Sequence, residues 1–210
     1  MRMIKLTNIL VDQIIYGEPS EKHYKKMDMN VGPFERFDIA QWMMTPPPKN
    51  SSMTTRDELD WIQSIQRNEA LIKSADHIQN HFKAFLESKN KPYPDELVKS
   101  LVKHSRPIIL KLKYHYNRPR PSQLAEQFKK PLDNYYLDSM STPSYPSGHS
   151  TQGILVAKVL GDMYPDCKEE LFKVGKEISY SRLMSKAHFP SDSKFGEIIG
   201  SFLYESYKND

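Results

Sequence analysis

Cysteine is almost absent from this chain, which holds a single one, Cys167, among its 210 residues. One cysteine excludes an internal disulfide and any metal site built from several cysteines. Long apolar runs are missing too. The longest, such as residues 153–160, fall far short of the roughly 18–20 residues that a membrane-spanning helix needs. The sequence therefore predicts a globular chain with no integral membrane segment.

An excess of charge of one sign is also lacking. The chain has 30 basic and 26 acidic residues, a net charge of +4, and the basic residues are scattered among the acids. A nucleic-acid-binding domain usually gathers Lys and Arg into a stripe or carries a recognisable module. We therefore expect no nucleic-acid partner.

The N-terminal segment has a basic residue and an apolar stretch, as an export signal does. However, Asn8, Asp12 and Gln13 interrupt that stretch, and no small-residue cleavage site follows it. We therefore expect a cytoplasmic location in preference to a periplasmic one.

The chain divides into three segments by composition. Residues 1–44 form an N-terminal arm with poor periodicity, residues 45–54 a proline-rich linker, and residues 55–210 a helical domain. The role of the arm is open at this point. It either packs across the body or pairs with a second subunit in a homodimer.

The body has the periodicity of helices. Thr55 and Glu58 have the spacing of a capping box, and apolar residues then recur every three or four positions to about residue 90, which fits one long helix or two. No strand pattern competes, so we predict an all-α bundle. Further helices are predicted at residues 95–117, 147–163, 167–188 and 190–207, with a loop at 129–146.

A first basic cluster lies before a proline. Lys111 and Arg118 are seven residues apart, which on a helix places them about 20° from the same face and two turns apart. Pro119 ends that helix, because the residue before a proline is pushed out of the α region. The two cations could then hold separate oxygens of one anionic group, although the same spacing also fits a solvated stripe.

A second cluster is the Pro-Ser-Gly-His sequence at residues 146–149, followed by an apolar run. This pattern predicts a loop entering a helix, where free N–H groups and the positive end of the helix dipole bind anions. Gly148, next to Ser147, lets the backbone approach a ligand without a Cβ in the way. His149, in the first turn, could donate a proton. The alternative is an ordinary serine cap with an incidental histidine.

A third cluster surrounds a break between two helices. Phe189 precedes Pro190, so the helix that carries Arg182 should stop near His188 and a new helix should begin. Asp192, four residues after His188, can accept the Nδ1 proton, which leaves Nε2 as a free lone pair. The cluster predicts a nucleophilic histidine oriented by a carboxylate. The alternative is a helix break with a surface His–Asp pair.

Together the clusters resemble the signature of the type 2 phosphatidic acid phosphatase and vanadium haloperoxidase superfamily. Lys-x6-Arg-Pro, Pro-Ser-Gly-His and Ser-Arg-x5-His-x3-Asp match residues 111–119, 146–149 and 181–192 in order and spacing. The resemblance covers about residues 95–205. It implies an all-α helical bundle of the acid phosphatase/vanadium haloperoxidase type, with the active site at converging helix ends. Without membrane spans, the chain looks most like the soluble bacterial non-specific acid phosphatases.

The resemblance also implies residue roles. His188 would attack phosphorus and become a phosphohistidine, Asp192 would fix its tautomer, and His149 would protonate the leaving oxygen and later activate water. Cations and a helix N-terminus would neutralise the phosphate without a metal or other cofactor, and vanadate would bind there as a phosphate mimic. The phosphate-binding residues would be Lys111, Arg118, Ser147, Gly148 and Arg182.

We therefore expect metal-independent hydrolysis of a small phosphorylated substrate, a phosphomonoester or a pyrophosphate. Two alternatives share the motifs. A vanadium-dependent haloperoxidase would hold vanadate in the same site, but those enzymes are usually much longer. A non-enzymatic phosphate- or anion-binding protein would keep the site without the chemistry, and nothing in the sequence favours it.

Overall fold

A computed structural model describes residues 8–209, so the first seven residues, where the N-terminal arm begins, lie outside it. The described residues form helices and no strands, which confirms the all-α class. No helix among them is both long and apolar enough to cross a bilayer. After a helical stretch at residues 8–12, the α-helices are α1 (Glu21–Met27), α2 (Ile39–Trp42), α3 (Met53–Ser64), α4 (Glu69–Asp76), α5 (Ile78–Ser88), α6 (Asp95–Tyr116), α7 (Pro121–Gln127), α8 (Gly148–Met163), α9 (Lys168–Met184) and α10 (Pro190–Lys208).

The first helix of the body begins two residues before the predicted start of the helical domain. Helix α3 begins at Met53, because Ser52 is its N-cap and its side chain accepts a hydrogen bond from the main-chain N–H of Thr55 at 3.2 Å. Thr55 therefore lies inside the helix. The apolar stretch to residue 90 forms three helices, since Asn68 caps α4 and His77 leaves the helical conformation (φ −102°, ψ 77°) between α4 and α5.

Helix α8 is buried along most of its length, between α9 and α10. Glycines on α10 let the two main chains approach closely. A Cβ built on Gly196 would lie 2.5 Å from the carbonyl oxygen of Ser147, and one on Gly200 would overlap the carbonyl oxygen of Thr151. This contact fixes the N-terminus of α8 against the first turns of α10.

The N-terminal arm packs against the body. Phe34 is fully buried in the main core, and Trp42 of α2 packs on Phe202 of α10 with ring centroids 4.6 Å apart. In the linker, Asn50 donates a hydrogen bond to the carbonyl oxygen of Ile14 at 2.8 Å. Of the two roles expected for the arm, the structure shows packing across the body. A homodimer stays a prediction.

Candidate active site

His188 lies at the break between α9 and α10. Helix α9 ends at Met184, four residues before its predicted end at residue 188, and Lys186 (φ 58°) then turns the chain. The Nδ1 atom of His188 lies 3.4 Å from Oδ2 of Asp192, and its Nε2 lies 2.9 Å from Nη1 of Arg120. A guanidinium can only donate, so Nε2 is the acceptor and Nδ1 carries the proton. The ring thus presents its lone pair at Nε2.

Asp192 is completely buried and surrounded by donors. Its Oδ1 accepts a hydrogen bond from Arg118 at 2.6 Å, and its Oδ2 accepts from the main-chain N–H of Phe189 at 2.9 Å and from the hydroxyl of Ser144. Burial alone would raise the pKa of this carboxyl, but Arg118, His188 and Ser144 outweigh it and hold the pKa well below its ordinary value. The carboxylate is therefore ionised and fixed in place.

Arg118 lies behind Asp192 and does not line the cavity beside His188. Its guanidinium also donates to Ser191 Oγ at 2.8 Å and lies 3.4 Å from Oε2 of Glu58. Glu58, expected to cap a helix, instead accepts from the N–H and hydroxyl of Ser191. These protein groups occupy the guanidinium, which corrects the predicted contact between Arg118 and phosphate.

Lys113 and Arg120 take the positions predicted for Lys111 and Arg118. Lys111 is exposed, whereas Lys113 is buried and lines the cavity, because two residues turn a helix by about 200°. The Nζ of Lys113 donates to the carbonyl oxygen of Pro143, and burial, then Arg120, lower the pKa of Lys113 well below its ordinary value. The spacing Lys-x6-Arg-Pro occurs twice, two residues apart, and the second copy is the one that lines the cavity.

A cavity of about 370 Å³ opens beside His188. Lys113, Arg120, Gly148 and His149 are on its wall. Gly148 and His149 begin α8, and the N–H groups of a first helical turn have no intrahelical acceptor. The groups on this wall include the buried cations Lys113 and Arg120, a helix N-terminus and the imidazoles of His149 and His188, a set suited to an oxyanion such as phosphate.

The structure places different constraints on the residue types at positions 147 and 148. Ser147 is buried as the N-cap of α8, accepting from the N–H of Ser150 at 3.3 Å, and its own N–H donates to the carbonyl oxygen of Asp192 at 3.0 Å. A Cβ on Gly148 would lie an ordinary 3.5 Å from Cγ2 of Ile109. Packing therefore does not require glycine at position 148.

His149 has a carboxylate partner that the sequence did not indicate. Its Nε2 lies 3.0 Å from the main-chain oxygen and 3.2 Å from Oδ1 of Asp76, at the end of α4. Both are acceptors, so Nε2 carries a proton, and Nδ1 makes no hydrogen bond with the residues described. Arg182, buried and outside the cavity wall, donates to the same Oδ1 at 2.8 Å and to Ser139 at 3.0 Å.

Both histidines lie in surroundings that disfavour their charge. Burial, then Arg120, lower the pKa of His188 well below its ordinary value, and Asp192 opposes this only in part. Burial, then Arg182, lower the pKa of His149, again against a carboxylate, Asp76. Each ring is therefore neutral over a wider pH range than a free imidazole.

The predicted site residues fall into three groups. His188, His149 and Gly148 line the cavity. Asp192, Ser147 and Arg182 are buried directly behind its wall. Arg118 is buried farther back, behind Asp192, and Lys111 is exposed on the outside of α6.

Comparison with known proteins identifies the family of this chain. The PAP2 superfamily model matches residues 100–205, a stretch that contains Lys113, Arg120, His149, His188 and Asp192. The chain belongs to the PAP2 superfamily. The family predicted from the motifs is thereby confirmed, although Asp76 lies outside the matched stretch.

Curated relatives of this PAP2 chain are bacterial phosphatases, in agreement with the predicted branch. It is 37% identical to the non-specific acid phosphatase of Salmonella typhimurium over 90 residues, which cover 42% of this chain and 35% of that protein. It is 32% identical to the acid phosphatase of Zymomonas mobilis over 111 residues, 52% of this chain and 41% of that one. With the non-specific acid phosphatase of Providencia stuartii the identity is 26% over 182 residues, 80% and 73% of the two.

Substitution of the two lysines tests which copy of the basic motif acts. Lys113→Ala should lower kcat/KM for p-nitrophenyl phosphate by roughly 10²–10³-fold, the usual effect of removing one preorganised charge donor. Lys111→Ala, two residues away on the exposed face, is the matched control and should change it less than about twofold. Steady-state kinetics on both variants measure the difference, and the opposite ranking would restore the first copy of the motif.

Proposed function

We propose that this PAP2 protein hydrolyses a small phosphomonoester or a pyrophosphate through a phosphohistidine at His188, without a metal ion. The observation that carries the proposal is the acceptor state of His188 Nε2, beside a cavity lined by Lys113, Arg120 and the N-terminus of α8. The names of the relatives, acid phosphatases, support the same reaction class.

The first step would transfer the phosphoryl group to the protein. The lone pair on Nε2 of His188 attacks phosphorus, the N–P bond forms, and the bond to the leaving oxygen breaks while His149 gives that oxygen a proton. The N–H of Arg120 that now contacts Nε2 would turn to a phosphoryl oxygen as substrate enters. Asp192 would stabilise the positive charge that develops on the ring of His188.

The second step would reverse the proton transfer. Neutral His149 accepts a proton from a water molecule, that water attacks phosphorus, and the N–P bond breaks to release inorganic phosphate. Phosphoryl transfer needs mainly alignment and neutralisation of oxygen charge, which Lys113, Arg120 and the N–H groups of α8 would supply. Arg182, which does not line the cavity, would contribute its positive charge from behind the wall and would hold Asp76 in place.

Trapping the intermediate tests this proposal. Acid-quenched protein exposed to substrate would lose phosphohistidine, so we propose an alkaline quench followed by mass spectrometry. Phosphate should be found on His188, turnover should survive EDTA, and vanadate should inhibit. His188→Ala should remove both the adduct and turnover. Turnover that persists in His188→Ala would refute the nucleophile, and loss of turnover with EDTA would refute the metal-independent reaction.

The pH profile of kcat/KM should be a bell with its maximum on the acid side of pH 6.5. Activity rises as His188 becomes neutral, at a pKa well below that of free histidine, and falls as His149 loses its proton, also at a lowered pKa. Asp76→Asn removes the charge that raises the pKa of His149, so the falling limb should move to lower pH by about one unit.

Asp138→Asn is the matched control for that shift. Asp138 lines the same cavity but makes no hydrogen bond with His149 among the contacts of the described residues. Its falling limb should stay within about 0.3 units of the wild-type limb. Equal shifts in the two variants would mean that general charge, and not the Asp76–His149 contact, sets the limb.

A further inference from the structure

The N-terminal arm supplies part of the wall of the active-site cavity. Lys22, His23 and Lys26 of α1 line the same space as His188, and Arg106 of α6 joins them. None of these four belongs to the three motifs or takes part in the reaction proposed above. Arg106 lies within the stretch that the family model matches, and the other three residues precede it. They form a second group of basic residues, here called the arm rim, beyond the residues that would hold the transferred phosphoryl group.

The charge of the arm rim is unbalanced. Lys25, on the same helix, pairs with Glu21 at 2.7 Å, whereas Lys22, Lys26 and Arg106 form no ion pair with any described residue. Burial, then Arg106 and Lys22, lower the pKa of Lys26, as expected when cations crowd together. Against these three cations the lining of the cavity includes one carboxylate, Asp138. An anion between them would relieve this repulsion.

Specific contacts hold the arm rim over the cavity. Nδ1 of His23 lies 2.7 Å from the hydroxyl of Tyr114 on α6. Just before α1, the main-chain N–H of Tyr16 donates to the carbonyl oxygen of Asn117 at 2.9 Å, and its hydroxyl donates to the carbonyl oxygen of Met140 at 3.1 Å. The arm is therefore anchored both to the end of α6 and to the loop opposite, so the helix that carries its lysines keeps a defined place beside the cavity.

We propose that the arm rim binds a second phosphate group, so that the preferred substrates carry two: a diphosphate or a bisphosphate ester. The inference rests on the proposed function, because the first phosphate would bind in the part of the cavity beside His188. A single phosphomonoester with a neutral leaving group would leave Lys22, Lys26 and Arg106 without a counter-charge. The arm would thus contribute substrate selection, a role that the catalytic motifs do not supply.

Calorimetric binding of non-hydrolysable probes to the full chain tests the arm rim without requiring turnover. The probes are methylenediphosphonate, propane-1,3-diphosphonate and inorganic phosphate, at fixed ionic strength because salt screens exposed charges. In the double variant Lys22→Ala/Lys26→Ala, the Kd of at least one diphosphonate should rise about tenfold more than the Kd of inorganic phosphate. Lys25→Ala, on the same helix and outside the cavity, is the matched control and should change neither.

The outcomes separate this inference from the proposed function. A larger loss for either diphosphonate supports the arm rim, and the probe that loses more indicates the spacing of the two phosphates. Equal losses for diphosphonate and inorganic phosphate, no loss at all, or the same loss in Lys25→Ala would overturn it. Failure of the wild-type protein to hydrolyse any phosphate ester, with the diphosphonate selectivity intact, would overturn the proposed hydrolysis and leave the arm rim as a binding site.

Discussion

The buried carboxylate of Asp192 is the contact on which the rest of the site depends. Its two oxygens accept hydrogen bonds from Arg118, Ser144 and the N–H of Phe189, and Oδ2 lies 3.4 Å from Nδ1 of His188, so three separate stretches of chain meet at one charge. A buried ion that loses one partner is left uncompensated, at a cost of about 3–5 kcal/mol. This requirement holds the helix ends together, and together with Arg120 at Nε2 the carboxylate favours the proton on Nδ1 of His188. Fold and reactivity therefore share one interaction.

Local parts of the site could be predicted from the sequence. His188 and Asp192 are four residues apart across a proline, so the turn itself brings ring and carboxylate together. Ser147 and Gly148 precede an apolar run, and a cap followed by a helix is a local pattern. Both features depend on a few consecutive residues, which is why they could be predicted, whereas the phosphate contacts expected of Ser147 and Arg182 stay predictions.

The wrong register of the basic motif has a physical explanation. On α6, Lys113 continues the buried row that includes Ser105 and Ile109, whereas Lys111 lies on the exposed side of the helix with His115. That periodicity was present in the sequence and distinguishes the two copies of the motif. Asp76 and the arm rim had no such signal, because Asp76 contacts Ser139 and His149, 63 and 73 residues away, and His23 of the arm rim contacts Tyr114, 91 residues away along the chain. Such contacts follow from how α1 and α4 pack, and no local spacing encodes that packing.

The most direct test of the account is the tautomer of His188. Nitrogen NMR of the protein labelled at its histidine rings, near neutral pH and without ligand, should show Nδ1 of His188 with a bound proton and Nε2 as an unprotonated acceptor. In Asp192→Asn, compared under the same conditions, that preference should weaken, because only Arg120 then favours it. A wild-type ring with its proton on Nε2 would contradict the account, because the lone pair would then face Asp192 and no nucleophile would face the cavity.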